Sequence, residues 1–219
     1  MVIGGSSFCM AAELPAEALE KLADDEFKVR EQAQADVLGW ARKHEGEAPG
    51  LLFGAHRNSK DPEVRIRCME ILKDLARDGY AQHGKGFIGI QMRDEMVLMP
   101  GGNQHQAAIR ITFILPGLAA EKAGLKVGDL LVGINGKTWP SPATDFMRQQ
   151  VMDMKPTTKI TVQVLRDEKV EDVEVTLVRR PLTADNPMLE RMPGRAADAE
   201  KQAWEEYFQE WKDKHDPGA

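Results

Sequence analysis

Pro116–Lys137, the run PGLAAEKAGLKVGDLLVGINGK, constrains the fold more than any other part of this chain, because nearly every position has a geometric task. Ala119, Ala120 and Ala123 spell a short helix of small residues, and Gly124 stands where a left-handed cap ends it. Leu125 follows as a core plug. Gly128-Asp129 then turns the chain into an apolar strand, Leu130 to Ile134, and Asn135-Gly136 is the dipeptide that a tight hairpin turn with positive φ prefers.

This series resembles the core signature of PDZ domains of the bacterial, HtrA-protease-associated type. The resemblance runs from about Gly84 to Pro181. Upstream, Lys85-Gly86-Phe87-Ile88-Gly89-Ile90 looks like that family's carboxylate-binding loop: a basic residue, a glycine, an aromatic, then apolar-Gly-apolar. Downstream, Ser141 to Met154 resembles its groove helix, and Thr158 to Leu165 and Val173 to Val178 its closing strands. Both strands alternate apolar with polar, as half-buried antiparallel strands should.

The resemblance implies capture of peptide ends. A terminal carboxylate needs several N–H donors at once, which a glycine-containing turn supplies as a concave nest. Phe87, Ile88, Gly89 and Ile90 are the donor positions by resemblance, and Lys85 adds charge. Phe87 to Ile90 is expected to form an open strand edge on which an extended ligand adds as a further strand. The helix would begin at Ser141 or Thr144, either of which can cap it. Its face carrying Met147 and Val151 is assigned to the core, with Met147 also bordering the site, and Phe146 and Gln150 are turned toward the groove. No His stands at the helix start, so an apolar terminal ligand residue is expected, not one bearing a hydroxyl.

From Leu14 to about Tyr80 the apolar period is helical, and the pattern repeats at an offset of 35. Val29, Arg30, Ala33, Val37, Trp40, Ala41 and Arg42 correspond to Val64, Arg65, Cys68, Leu72, Leu75, Ala76 and Arg77. This resembles HEAT-like helical repeats, which act as scaffolds for protein contact. Val29, Val37, Trp40, Val64, Leu72 and Leu75 are expected in a shared core, with Arg30 and Arg65 outside it. Past Pro181, a Pro- and Gly-containing stretch leads to a helix from about Ala196 to Lys214, with Trp204, Tyr207, Phe208 and Trp211 on one stripe. That stripe either docks on its own domain or is exposed, to bind a partner protein or to occupy the groove.

The fold class expected is therefore α+β and multidomain. Residues 13–80 form a HEAT-like pair, 84–181 a PDZ-like partly open β-barrel or sandwich with two helices, and 182–219 a linker and amphipathic helix. Residues 1–12, MVIGGSSFCMAA, read as the end of a signal peptide or as a tail, which places the protein in the periplasm or outside the cell, and otherwise in the cytoplasm. A net charge of -6 without a basic stripe argues against nucleic acid, and no stretch reaches a membrane span.

The two cysteines, Cys9 and Cys68, suggest neither a disulfide framework nor a metal site. The resembling proteases carry a separate trypsin-like domain, for which no room remains beside the segments assigned above. None of the five histidines (His44, His56, His83, His105, His215) has a Ser or Cys in nucleophile context, and HExxH and CxxC motifs are absent. No cofactor and no catalysis are expected. Two readings stand: an adaptor binding protein C-termini or extended peptides, or a structural or regulatory subunit whose groove is filled by its own chain, working with a separately encoded protease or envelope complex.

Overall fold

The computed structural model describes residues 12–218. Residues 1–11, on which the signal-peptide reading falls, lie outside them. The chain divides into two compact units, residues up to 80 together with those from 201 onward, and Ala81–Glu200.

The first unit is helical: α1 (Ala16–Lys21), α2 (Phe27–Ala41), α3 (Ala48–Asn58) and α4 (Pro62–Gln82). Its core gathers Leu22, Val37, Leu52, Phe53, Cys68, Ile71 and Leu72, all with exposures of 2% or less. Several positions 35 apart share one environment. Ala33 and Cys68, Val37 and Leu72, and Ala41 and Ala76 are buried pairwise, and Trp40 packs on the same core as Leu75. Val64 packs on this core too, but Val29 is only half-buried and is not part of it. Arg65 is exposed as expected, whereas Arg30 is half-buried and donates to the carbonyls of Asp24 and Asp25. Arg67, which periodicity did not single out, is buried and bonded to Glu63, Glu31 and Gln34.

In the second unit, β1 (Gly86–Phe87), β2 (Ile90–Leu98) and β3 (His105–Ile114) precede the short α5 (Ala119–Lys122) and β4 (Leu130–Ile134). Then come α6 (Ala143–Met152), β5 (Lys159–Arg166), β6 (Lys169–Thr176) and β7 (Val178–Arg179). A five-stranded sheet has the order β2-β3-β4-β5-β6, and β1 pairs separately with β7. The sheet is open, with β2 and β6 at its two edges, so the barrel is not closed. Its core is built from Ile109, Ile111, Leu131, Ile134, Ile160, Val162 and Val164, closed by Met147 and Val151 of α6.

The turn chemistry explains this order. Gly124, Asn135 and Gly136 all have positive φ, and Leu125 is buried at 4%. The β5–β6 hairpin turns instead on Asp167 and Glu168, with φ of 45° and 61°, a pair that sequence reading does not favour, and β6 therefore starts at Lys169, four residues earlier than expected. Asp129 is buried behind β4. Burial alone would raise its carboxyl pKa, but two bonds from Arg166 (2.8 and 2.5 Å) and the Lys126 N–H hold it below its ordinary value.

The last two helices are α7 (Pro187–Glu190) and α8 (Pro193–His215). From Lys201 onward α8 belongs to the helical unit. Its aromatic stripe packs there: Tyr207 and Trp204 lie 5.1 and 5.5 Å from the Tyr80 ring, and Trp211 lies 6.1 Å from Phe53. The Tyr207 hydroxyl occupies the space where a Cβ on Gly79 would stand. The stripe thus packs on its own unit, the first of the two alternatives the sequence offers.

Candidate functional site

Gly86 lets β1 run hard against the end of α6. A Cβ there would come within 2.7 Å of the Val151 carbonyl and 2.9 Å of the Met154 carbonyl, and the Gly86 N–H donates to Met154 at 2.8 Å. Phe87 pairs with Val178, and Ile88 and Gly89 then leave the strand. Phe87 to Ile90 is therefore not one strand edge. Gly89 has φ +84°, which extended backbone cannot accommodate, and a Cβ on it would sit 2.7 Å from that of Leu118. The open edge begins at Ile90, the first residue of β2.

The turn's carbonyls are tied backward. Ile88 accepts from the Ala120 N–H and Gly89 from the Leu115 N–H, both at 2.9 Å. Since C=O and N–H of one peptide unit point in opposite directions, the Gly89 N–H faces away from α5 and the Ile90 N–H away from Leu115. Ile88 and Gly89 are buried, yet among the described residues neither N–H finds an acceptor. Backbone donors in a buried turn are rarely left without an acceptor, and here two stand in succession.

Beside this turn lies a cleft of ≈ 620 Å³, a volume typical of ligand sites. Phe87, Ile88, Ile90, Gln91, Met92 and Leu115 form one wall, and Met147, Arg148, Val151 and Met152 of α6 form the second. A third wall comes from the chain after β7, with Arg180, Pro181, Thr183, Ala184, Leu189 and Ala196. The lining contains two arginines and no acid.

Of the residues singled out by sequence, Phe87, Ile88, Ile90 and Met147 are thus brought together, with Gly86 and Gly89 shaping the turn between them. Lys85 is exposed and does not line the cleft. Phe146 and Gln150 do not line it either, which corrects the face assigned to the groove. Phe146 is exposed at 49%, and Gln150 accepts a bond from the Trp139 indole at 3.0 Å. The helix turns its other flank, Arg148 and Met152, toward β2. Periodicity fixes which residues share a face but not which flank of the buried stripe meets the neighbouring strand.

Arg180 was missed. Its guanidinium lies over the Phe87 ring, donates to Asp185 at 2.8 Å and to the Ala184 carbonyl at 3.1 Å, and its backbone N–H donates to Lys85. The third wall is anchored further by Glu200, which accepts from the Leu182 N–H at 2.7 Å and from Arg179. No sequence signal ties Arg180 to the site: it stands at the very end of the resemblance, past the closing strand and outside every motif that carries it.

Comparison with known proteins agrees with this geometry. Residues 86–177 match the family model described as PDZ domain. They form a PDZ domain.

Around this PDZ domain the chain is 31% identical over 125 residues to a probable periplasmic serine endoprotease DegP-like of Chlamydia pneumoniae, covering 56% of this chain and 25% of that protein. It is 39% identical over 67 residues to the periplasmic pH-dependent serine endoprotease DegQ of Escherichia coli K12, covering 31% of this chain and 14% of that one. The chain thus spans a quarter or less of these two relatives. Among solved structures, the HtrA3 PDZ domain bound to a phage-derived ligand matches 43% of this chain and 86% of that chain at 20% identity, with a TM-score of 0.34. The third wall of the cleft, from Arg180 onward, lies outside the matched residues 86–177.

Proposed function

We propose that this chain is a non-catalytic adaptor whose PDZ domain captures the C-terminal end of other proteins. The terminal carboxylate is received by the N–H groups of Ile88, Gly89 and Ile90, with Arg180 and Arg148 supplying positive charge. The ligand backbone adds to the free edge of β2, and its last side chain enters the apolar space between Met147, Val151, Leu115 and Leu189. The observation that carries this reading is the pair of N–H groups, at the buried residues Ile88 and Gly89, without an acceptor among the described residues and beside an apolar cleft lined by no acid.

The helical unit, whose equivalent burial at the 35-residue offset supports a HEAT-like reading, is assigned to contact with a partner protein. The relatives' names favour the periplasm as the place of action. Among the described residues no helix is long and apolar enough to cross a membrane. A non-catalytic role is supported by the histidines: His44, His56 and His215 each hydrogen-bond a backbone carbonyl. The Cys68 thiol is pushed up to about 11 by burial, which keeps it from acting as a nucleophile.

A second reading, a regulatory subunit with a self-covered groove, has the third wall behind it. Arg180 to Ala196 narrows the cleft from one side, yet ≈ 620 Å³ remains for a ligand.

A library of random peptides displayed with free C-termini tests the proposal. Enrichment of apolar last residues is expected. Recovery of sequences that ignore the terminus would overturn it.

A further inference from the structure

The groove between β2 and α6 is short, and one side chain ends it. Asp94, on β2, reaches across to the first turn of α6. Its Oδ1 accepts the Thr144 N–H at 2.9 Å and its Oδ2 accepts the Thr144 hydroxyl at 2.6 Å. These two bonds provide the side-chain cap that α6 otherwise lacks, since Pro142 at the N-cap position offers none.

The same contact sets a distance. A ligand strand on the β2 edge lies about 4.8 Å out from it. At Asp94 one carboxylate with two hydrogen bonds joins β2 to α6, so strand and helix stand a single side chain apart there. The cleft agrees: its lining on β2 stops at Met92, its lining on α6 begins at Met147, and neither Asp94 nor Thr144 contributes. From Ile90 to Asp94 the edge rises about 13 Å, enough for three or four residues of an antiparallel ligand.

Building on the peptide-binding reading above, we propose that the Asp94–Thr144 bridge is a gate limiting the groove to the last three or four residues of a ligand. This chain would then read short C-terminal tags and ignore what precedes them. A longer strand would have to pull Asp94 off Thr144, leaving the α6 N-terminus uncapped, and would bring its own backbone carbonyls against the carboxylate. Arg148, one helical turn on and bonded to Asp145 at 3.1 Å, lines the cleft on the near side of the bridge.

The test uses the full chain and two acetylated free-acid peptides, a tetrapeptide and a nonapeptide, sharing the same apolar last four residues. In the wild type the two affinities are expected to agree within about twofold, with the Thr144 amide resonance unmoved by either peptide. In Asp94→Ala the nonapeptide is expected to gain about tenfold over the tetrapeptide, since added strand hydrogen bonds become available. Asp94→Asn, which keeps an acceptor for the Thr144 N–H, is expected to behave as the wild type.

A wild-type nonapeptide binding tenfold tighter than the tetrapeptide, with a shifted Thr144 amide, overturns the gate while leaving terminal capture intact. Equal wild-type affinities with no gain in a folded Asp94→Ala protein also overturn it. If neither peptide binds the wild type, the peptide-binding reading itself falls, and the gate with it.

Discussion

The Arg180 guanidinium lies 5.1 Å from the centre of the Phe87 ring. Asp185 bonds the same guanidinium at 2.8 Å, and on the proposed reading this cation stands where a ligand's carboxylate would arrive, its flat face suiting the ring. Arg180→Met keeps much of the aliphatic stem and removes the charge. The affinity for a free-acid peptide is expected to fall about tenfold, while that for the amidated peptide stays within twofold. Isothermal titration of both peptides checks this, and an equal loss for both would make Arg180 a packing residue only.

Acid stability follows from two depressed carboxyls. Arg166 holds Asp129 below its ordinary value against the opposing effect of burial, and the Thr144 hydroxyl and N–H do the same for Asp94. A group whose pKa is lowered by folding stabilises the fold above its unfolded value, near 4, and loses that contribution as pH falls through the folded value. The PDZ domain should therefore hold its stability from neutral pH to about 5 and weaken below about 4. Asp129→Asn removes the charge facing Arg166, which keeps Glu171 and the Gly124 carbonyl, and is expected to cost about 1–3 kcal/mol at pH 7 and to flatten the acid limb. Urea titrations at several pH values, followed by the amide resonances of β4 and β5, would show both effects.

In the helical unit, equivalent positions should carry comparable weight. Leu72 and Val37 are fully buried, and truncation to Ala is expected to cost about 3 and 2 kcal/mol. Val29, only half-buried, should cost well under 1 kcal/mol. Chemical denaturation of the three variants measures this. A Val29 variant as damaging as Leu72→Ala would contradict the core described above.

What the sequence made legible was mostly turn chemistry. Gly124 and Asn135-Gly136 take the positive φ their residue types prefer, and with the alternation of β5 they place the sheet. Repetition at the 35-residue offset likewise picked out Val37 and Leu72. Failures came where long-range geometry decides. Gly89 broke the expected Phe87–Ile90 edge because its left-handed φ ends one pairing and starts another. Phe146 and Gln150 do not line the cleft, and a helical period carries no information about which neighbour lies to either side of the buried stripe. Arg180 and Asp94 meet the groove through folds of chain 95 and 50 positions from Lys85 and Thr144, a proximity that no local pattern encodes.

Gly89 offers a direct handle on the turn. Gly89→Ala places a Cβ at positive φ and against Leu118, and should cost about 1–3 kcal/mol in stability. Any protein that remains folded should bind free-acid peptide at least tenfold more weakly, because the donors no longer converge. Unchanged affinity in a folded variant, measured by fluorescence anisotropy, would remove the turn from the site.

The central claim, that Ile88 and Gly89 receive a terminal carboxylate, is tested most directly by titrating the wild-type chain with one apolar-ended peptide as free acid and as amide. Binding of the free acid is expected on the order of micromolar, and amidation should weaken it by about 1.5–3 kcal/mol, the worth of charge-assisted hydrogen bonds. Equal affinity for the two forms would mean that the turn holds no carboxylate and that the adaptor reading is wrong.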